Sequence, residues 1–184
     1  MKFCSLRFNI YLALALVLCL SVGCQTEARK RKNALATLQV RLETNPRPNT
    51  LCEQIKVGRD QPEMFTVEKA PFLTEKLIQN VKVIDTMGGF ALSLQFDRQG
   101  SWLLEQATAA NRGYHVAVFS QFPMPPEQKL NEGRWLAAPI ISNVITNGVL
   151  AFTPDMTRQE ADQFALGLNH VAKMIASGQT FKEE

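Results

Sequence analysis

Residues 37–44, Thr-Leu-Gln-Val-Arg-Leu-Glu-Thr, place Leu38, Val40 and Leu42 on alternate positions. Successive side chains of an extended chain point to opposite faces, so this spacing predicts a half-buried strand. Asn45-Pro46-Arg47-Pro48-Asn49 ends it as a turn or loop. Two further strands are expected at residues 53–57 and 64–69. Thr74 can cap a short helix over residues 74–80, its hydroxyl accepting from a free amide of the first turn. Residues 81–85 form a strand, and Met87-Gly88-Gly89 turns the chain into a second one, with Phe90, Leu92, Leu94 and Phe96 on one face. A helix is predicted over residues 101–111, ended by Gly113 just past its C-terminus. Val116 and Val118 then alternate with His115 and Ala117 in a strand over residues 114–119.

Residues 121–129, Gln-Phe-Pro-Met-Pro-Pro-Glu-Gln-Lys, must form an exposed loop. Its three prolines lack backbone donors and fit neither a helix nor a central strand. The apolar stretch GRWLAAPIISNVITNGVLAF, residues 133–152, predicts two strands, 134–139 and 149–152, joined around residues 142–148, with Pro139 at a strand end or edge. Thr157-Arg158-Gln159-Glu160 is a capping box. Behind it Ala161, Phe164, Ala165, Leu168, Val171, Ala172 and Ile175 recur on one helical face up to Gly178. Each Phe, Leu or Ile buried there contributes about 1.5–3 kcal/mol, so this face must lie on a sheet. Two long helices, unevenly spaced among many strands, imply an α+β fold: a mainly antiparallel sheet with helices packed on one face, in a single domain over residues 37–180.

The N-terminus is patterned differently. Lys2 and Arg7 precede the apolar run of residues 10–22, and Ser21-Val22-Gly23 places small residues before Cys24. That is the layout of a secretory signal over residues 1–23, and the run falls short of the ~20 apolar residues of a membrane span. Leu20-Ser21-Val22-Gly23-Cys24 resembles the lipobox of bacterial lipoproteins, in which the cysteine becomes the lipidated N-terminus. It departs from that pattern at Ser21, where leucine is commonest, and the same triplet also suits an ordinary small-x-small peptidase site. Lipid attachment at Cys24 is the expectation carried forward, and Gln25 at the next position favours the outer membrane by the lipoprotein sorting pattern.

Composition narrows the chemistry. Cys4 and Cys19 would leave with the signal, so Cys52 has no disulfide partner if Cys24 carries lipid. Two histidines, His115 and His170, are too few for a zinc site of the usual kind, and neither metal nor cofactor is expected. The first 50 residues hold eight Lys/Arg against two Asp/Glu, the rest twelve against fifteen. Arg29-Lys30-Arg31-Lys32 sits in a tether, residues 24–36, where it either faces an anionic membrane surface or keeps the tether extended. The mildly acidic remainder argues against nucleic acid, and no small-molecule substrate is evident. His115 and Ser120 are five residues apart on a strand and point to opposite faces. Glu160 and Asp162 diverge on their helix. Trp102 and Trp135 fit core positions better than a ligand platform. No catalytic residue is expected.

Three segments, "VEKAPFLTEKLIQNVKVID", "GGFALSLQFDRQGSWLLEQATAANRGYHVAVF" and "RWLAAPIISNVITNGVLAFTPDMTRQEADQFALGLNHVA", together resemble the head of the large periplasmic domain of SecD, the protein-export accessory subunit. Leu73-Thr74, Phe96-Asp97 with Gly100, Thr108, Asn111, Ala117-Val118, Ala138-Pro139-Ile140-Ile141, Ile145, Gly148, Thr157, Glu160-Ala161 and Leu166 carry the likeness, over about residues 67–176. It lies in their joint order and spacing. The resemblance implies a ferredoxin-like α+β fold, a role in handling polypeptide at the membrane, and no catalytic residues. SecD's membrane helices, which couple proton flow to motion, have no counterpart here, so that motor role is not expected. Where SecD makes a tight turn before its Ala-Pro segment, this chain has the proline-rich loop.

The expected function is therefore a lipid-anchored envelope protein at the periplasmic face, acting as a non-enzymatic protein-binding or export-accessory module. Its partners would be the membrane, through Cys24, and envelope or exported proteins, through an edge strand or through Phe122, Pro123, Met124, Pro125 and Pro126 of the loop. The alternatives are a self-associating structural lipoprotein and, below it, an enzyme.

Overall fold

The structure is a computed structural model that describes residues 36–46, 51–122 and 133–178, all within one unit, Ala34–Glu184. In chain order the elements are β1 (Thr37–Leu42), β2 (Cys52–Val57), β3 (Glu63–Glu68), β4 (Leu73–Thr74), a 3-10 turn (Glu75–Leu77), β5 (Ile78–Thr86), β6 (Gly89–Phe96), α1 (Arg98–Ala110), β7 (Val116–Gln121), β8 (Arg134–Ala137), β9 (Val149–Phe152) and α2 (Arg158–Ala176). Every strand pairing is antiparallel. The α+β class is as expected. The single sheet is instead divided into three: β4-β1-β7-β8, the hairpin β2-β3, and β5-β6-β9.

Alternation in β1 sorts the molecule into two layers of contact. Leu38 and Val40 point with Val116, Val118 and Leu136 into the main core. There they meet Val81, Leu92, Leu94, Phe96, Leu150 and Phe152 of the three-stranded sheet, Leu104 of α1, and Phe164 and Leu168 of α2. Both helices thus join one cluster on one face of the four-stranded sheet. The opposite face is covered by the β2-β3 hairpin, whose Ile55, Val57 and Val67 bury Ala117 with half-buried Phe65 and Trp135 alongside. Arg41, next to Val40, falls on this second face, where it pairs with Glu53, donates to Gln39 Oε1 at 2.7 Å and lies 5.4 Å over the Trp135 ring.

The capping box of α2 is present in full, with Thr157 accepting from the Glu160 amide and Glu160 accepting from the Thr157 amide. The helix expected over residues 74–80 is absent. Leu73 pairs with Val40 and Ile78 with Phe96, leaving only the 3-10 turn between two strands. So few residues cannot offset the cost of nucleating an α-helix when sheet partners compete for them. Thr74 makes no capping bond; Glu75 turns inward and accepts from the Leu38 amide at 3.0 Å. The start of α1 also moves, to Arg98, behind the capping Asp97, whose carboxylate accepts from the Gly100 amide at 2.7 Å. Trp102, on that helix, is 56% exposed and so not a core residue.

The stretch 133–152 supplies β8 and β9 as expected, but the two enter different sheets. The connection between them is fastened to α1 by Thr108, which is fully buried. Its hydroxyl donates to the Leu104 carbonyl at 2.7 Å and accepts from the Ile145 amide at 3.0 Å.

Candidate functional site

Of the contacts expected in the proline-rich loop, Pro123, Met124, Pro125 and Pro126 lie outside the described residues, as does Cys24. Phe122 is described, and it belongs to the core. It is 3% exposed, meets Phe164 edge-on at 5.7 Å between ring centroids, and has the Arg134 guanidinium 5.5 Å over its own ring. Phe122 continues the alternation of Val116 and Val118 along β7, which puts it on the core face, so the expectation of a surface contact at Phe122 is corrected.

The residues with catalytic potential serve the frame. Glu43 Oε2 accepts from the His115 amide at 2.8 Å and lies 2.7 Å from its ring Nδ1, while the Glu43 amide donates to the His115 carbonyl. Phe65 flanks the same ring at 4.8 Å. Together these close the end of the β1-β7 ladder. Ser120 points elsewhere and donates to the Thr37 carbonyl at 2.7 Å. Among the described residues no three His, Cys, Asp or Glu side chains gather as a metal site, and Cys52 is free and half-buried.

A groove of about 660 Å³ lies between the tip of the β2-β3 hairpin, the end of β8 and the chain leaving β9. Its walls include Phe65, Leu136, Ala138, Ile140, Phe152 and Pro154. Ile140 is 56% exposed there. The two sides meet at one backbone bond, from the Asp155 amide to the Leu136 carbonyl, 2.7 Å.

Beside that junction Glu160 ties three segments together. Its Oε2 accepts from the Thr157 amide at 2.7 Å and faces Arg59 Nη2 of the hairpin turn at 3.0 Å and Arg134 Nη2 of β8 at 3.3 Å. Arg59 Nε also stands 3.9 Å from Asp155. Burial by itself would raise the Glu160 carboxyl, but the Thr157 amide and the two guanidinium groups outweigh it and hold the group below its ordinary value.

With this geometry in hand, the family model for the SecDF P1 head subdomain matches residues 51–172. The chain belongs to the SecDF P1 head family. The match runs from the start of the hairpin into α2 and takes in every wall of the groove, whereas β1 lies before it. Two solved SecDF structures share the fold. One is a membrane component that enhances protein export, with TM-score 0.52 and 20% identity, covering 79% of this chain and 67% of that one. The other is SecDF in a super-membrane-facing form, with TM-score 0.54 and 22% identity, covering 79% of this chain and 20% of that one. This P1 head-like chain thus spans a fifth of the length of the second. No curated protein matches it.

In this SecDF P1 head the Glu160 network makes a pH-dependent contribution to stability. A carboxyl whose folded value is lowered stabilises the fold above its unfolded value, and that contribution disappears as pH falls through the folded value. Glu160→Gln should therefore cost about 1–3 kcal/mol at pH 7, from charge-assisted bonds lost. Its deficit relative to wild type should shrink as pH drops below about 4.5, the ordinary carboxyl value. Thermal melts of both proteins between pH 3 and 7 check this, and a deficit of constant size would show that the charge of Glu160 is not what matters.

Proposed function

We propose that this chain is a lipid-anchored envelope protein that serves protein export as a non-enzymatic accessory module, holding polypeptide in the groove beside β8. Its membership of the SecDF P1 head family carries this reading, since a related structure is that of a membrane component that enhances protein export. The apolar walls of the groove support it, because they suit a segment not yet folded. The use of His115, Ser120 and Glu43 in fastening strands favours binding over catalysis. Cys24 supplies the anchor and the basic tether of residues 24–36 the link to the membrane, at the periplasmic face, with Gln25 favouring the outer membrane. No described helix is long and apolar enough to cross a membrane. Pro123, Met124, Pro125 and Pro126 provide a second contact for the partner.

One experiment addresses both halves. Cells carrying the wild type or Cys24→Ser are fractionated, and each protein, bearing a photo-crosslinker at Ile140, is tested for adducts with newly exported chains. Wild type should be found with membranes and Cys24→Ser in the soluble fraction, both giving adducts. Firm membrane association of Cys24→Ser would refute the anchor, and adducts no more frequent than from a crosslinker at exposed Lys173 would refute polypeptide binding.

A further inference from the structure

Sheet edges are where a protein can pair with another chain, and here most of them are partly covered, short or charged. On β5, Asn169 of α2 covers the outer side at Val81 like a missing strand: its Oδ1 accepts from the Val81 amide and its Nδ2 donates to the Val81 carbonyl, both at 2.8 Å, while exposed Lys82 and Asp85 put charge on the rest of the strand. Beyond β3 the chain end of β1 pairs on, with the Thr44 amide donating to the Thr66 carbonyl at 2.9 Å. The outer strand β4 has only two residues. Exposed Lys56 and half-buried Glu53 put charge on β2, a common protection of exposed edges. Two edges, β8 and β9, flank the groove.

Their backbone groups point into it. Pro139 faces β7, where its carbonyl accepts from the Val116 amide, while the Leu136 carbonyl faces away to Asp155. Ala138, between 137 and 139 that pair with β7, therefore presents its N–H and C=O on the side of Leu136. On the other side the Gly148 carbonyl accepts from the Phe96 amide, so even-numbered residues of β9 face β6. Ala151 and Thr153 then face outward, with no backbone partner among the described residues. The two edges touch once, at Asp155 and Leu136, and part from there along the groove. Of the charged residues lining it, Asp155 already has Arg59 3.9 Å away, while Glu63 is left without an ion-pair partner among the described residues.

We infer that the groove takes its partner as an added β-strand, an extended apolar peptide with a basic flank that pairs with Ala138 on one side and Thr153 on the other. The strand would join the four-stranded and three-stranded sheets, its alternate side chains on Phe65, Ile140 and Phe152 and its basic end at Glu63. This rests on the polypeptide-binding function proposed above and adds its mode, main-chain pairing.

The test uses the purified full chain in detergent and two probes. One is an alkylated, chemically unfolded protein; the other is a fluorescent octapeptide of alternating Val and Thr with a terminal Lys, made with and without N-methyl groups on alternate amides. The plain octapeptide should bind, the N-methylated one at least tenfold more weakly. Ala138→Pro removes one outward N–H at a residue already held extended by Pro139, and should weaken the plain peptide at least tenfold. If that variant melts well below wild type, the methylation series on wild type decides. Equal binding of both peptides would overturn strand addition while binding of the unfolded protein keeps the proposed function. Binding of neither probe would overturn both. Self-association of the chain that the peptide cannot compete away would make a second copy the occupant and overturn the peptide.

Discussion

Replacing Phe164 with alanine is expected to cost about 3–5 kcal/mol of folding stability. The ring is fully buried and stands at the point where α2 reaches across the main core. It touches Phe122 edge-on, so its removal strips contacts from β7's end as well as leaving a cavity. Domains of this size are stable by only about 5–15 kcal/mol, so the variant should lose a large share of its folded margin. Urea unfolding followed by circular dichroism would read this as a lower midpoint with an unchanged slope. A loss below about 1 kcal/mol would mean that this face of α2 does not lie in the core. Phe122→Ala should also be costly, and because the two rings touch, the double variant should lose less than the sum of the singles. That non-additivity separates a buried Phe122 from one exposed for a partner.

The contrast between Phe164 and Phe122 indicates what a sequence can disclose. Phe164 sits in a run of helical spacing behind a capping box, and every one of those signals lies within a few residues of it. Strands β1 and β6 were legible for the same reason, since Leu38 and Val40 or Leu92, Leu94 and Phe96 alternate locally. Phe122 is followed by Pro-Met-Pro-Pro, which is all its neighbourhood says, and only its distant partner on α2 puts it inside. The short helix at residues 74–80 failed likewise: Thr74 is a sound local cap, but Ile78 is claimed by Phe96 across the sheet. Nothing within residues 133–152 tells that β8 pairs with β7 and β9 with β6. The family resemblance was legible because it rests on order and spacing. The groove was not, because its walls come from the hairpin, β8 and the chain beyond β9, and Glu160 meets Arg59 across 101 residues.

Gly148→Ala should be almost as damaging as the loss of Phe164, at about 2–5 kcal/mol, and for a reason that can be divided experimentally. Gly148 has φ +67, a left-handed conformation that costs a residue with a Cβ about 1–2 kcal/mol. A Cβ built there would also stand 1.9 Å from Ser101 Oγ and 2.7 Å from Ser101 Cβ. The hydroxyl can rotate away, but the Ser101 Cβ is fixed by the backbone of α1, so the overlap adds roughly the 1–3 kcal/mol of an overpacked site. Ser101→Gly removes that second part and leaves the first. In a double-mutant cycle the pair should therefore show a coupling of about 1–3 kcal/mol, with Gly148→Ala less harmful beside Ser101→Gly than alone. Zero coupling would mean that the backbone angle alone makes glycine necessary. Because the Gly148 carbonyl holds the Phe96 amide at 3.0 Å, pushing residue 148 off α1 also disturbs the start of β9. A variant that folds should then bind an added strand less well, although residue 148 lies outside the groove.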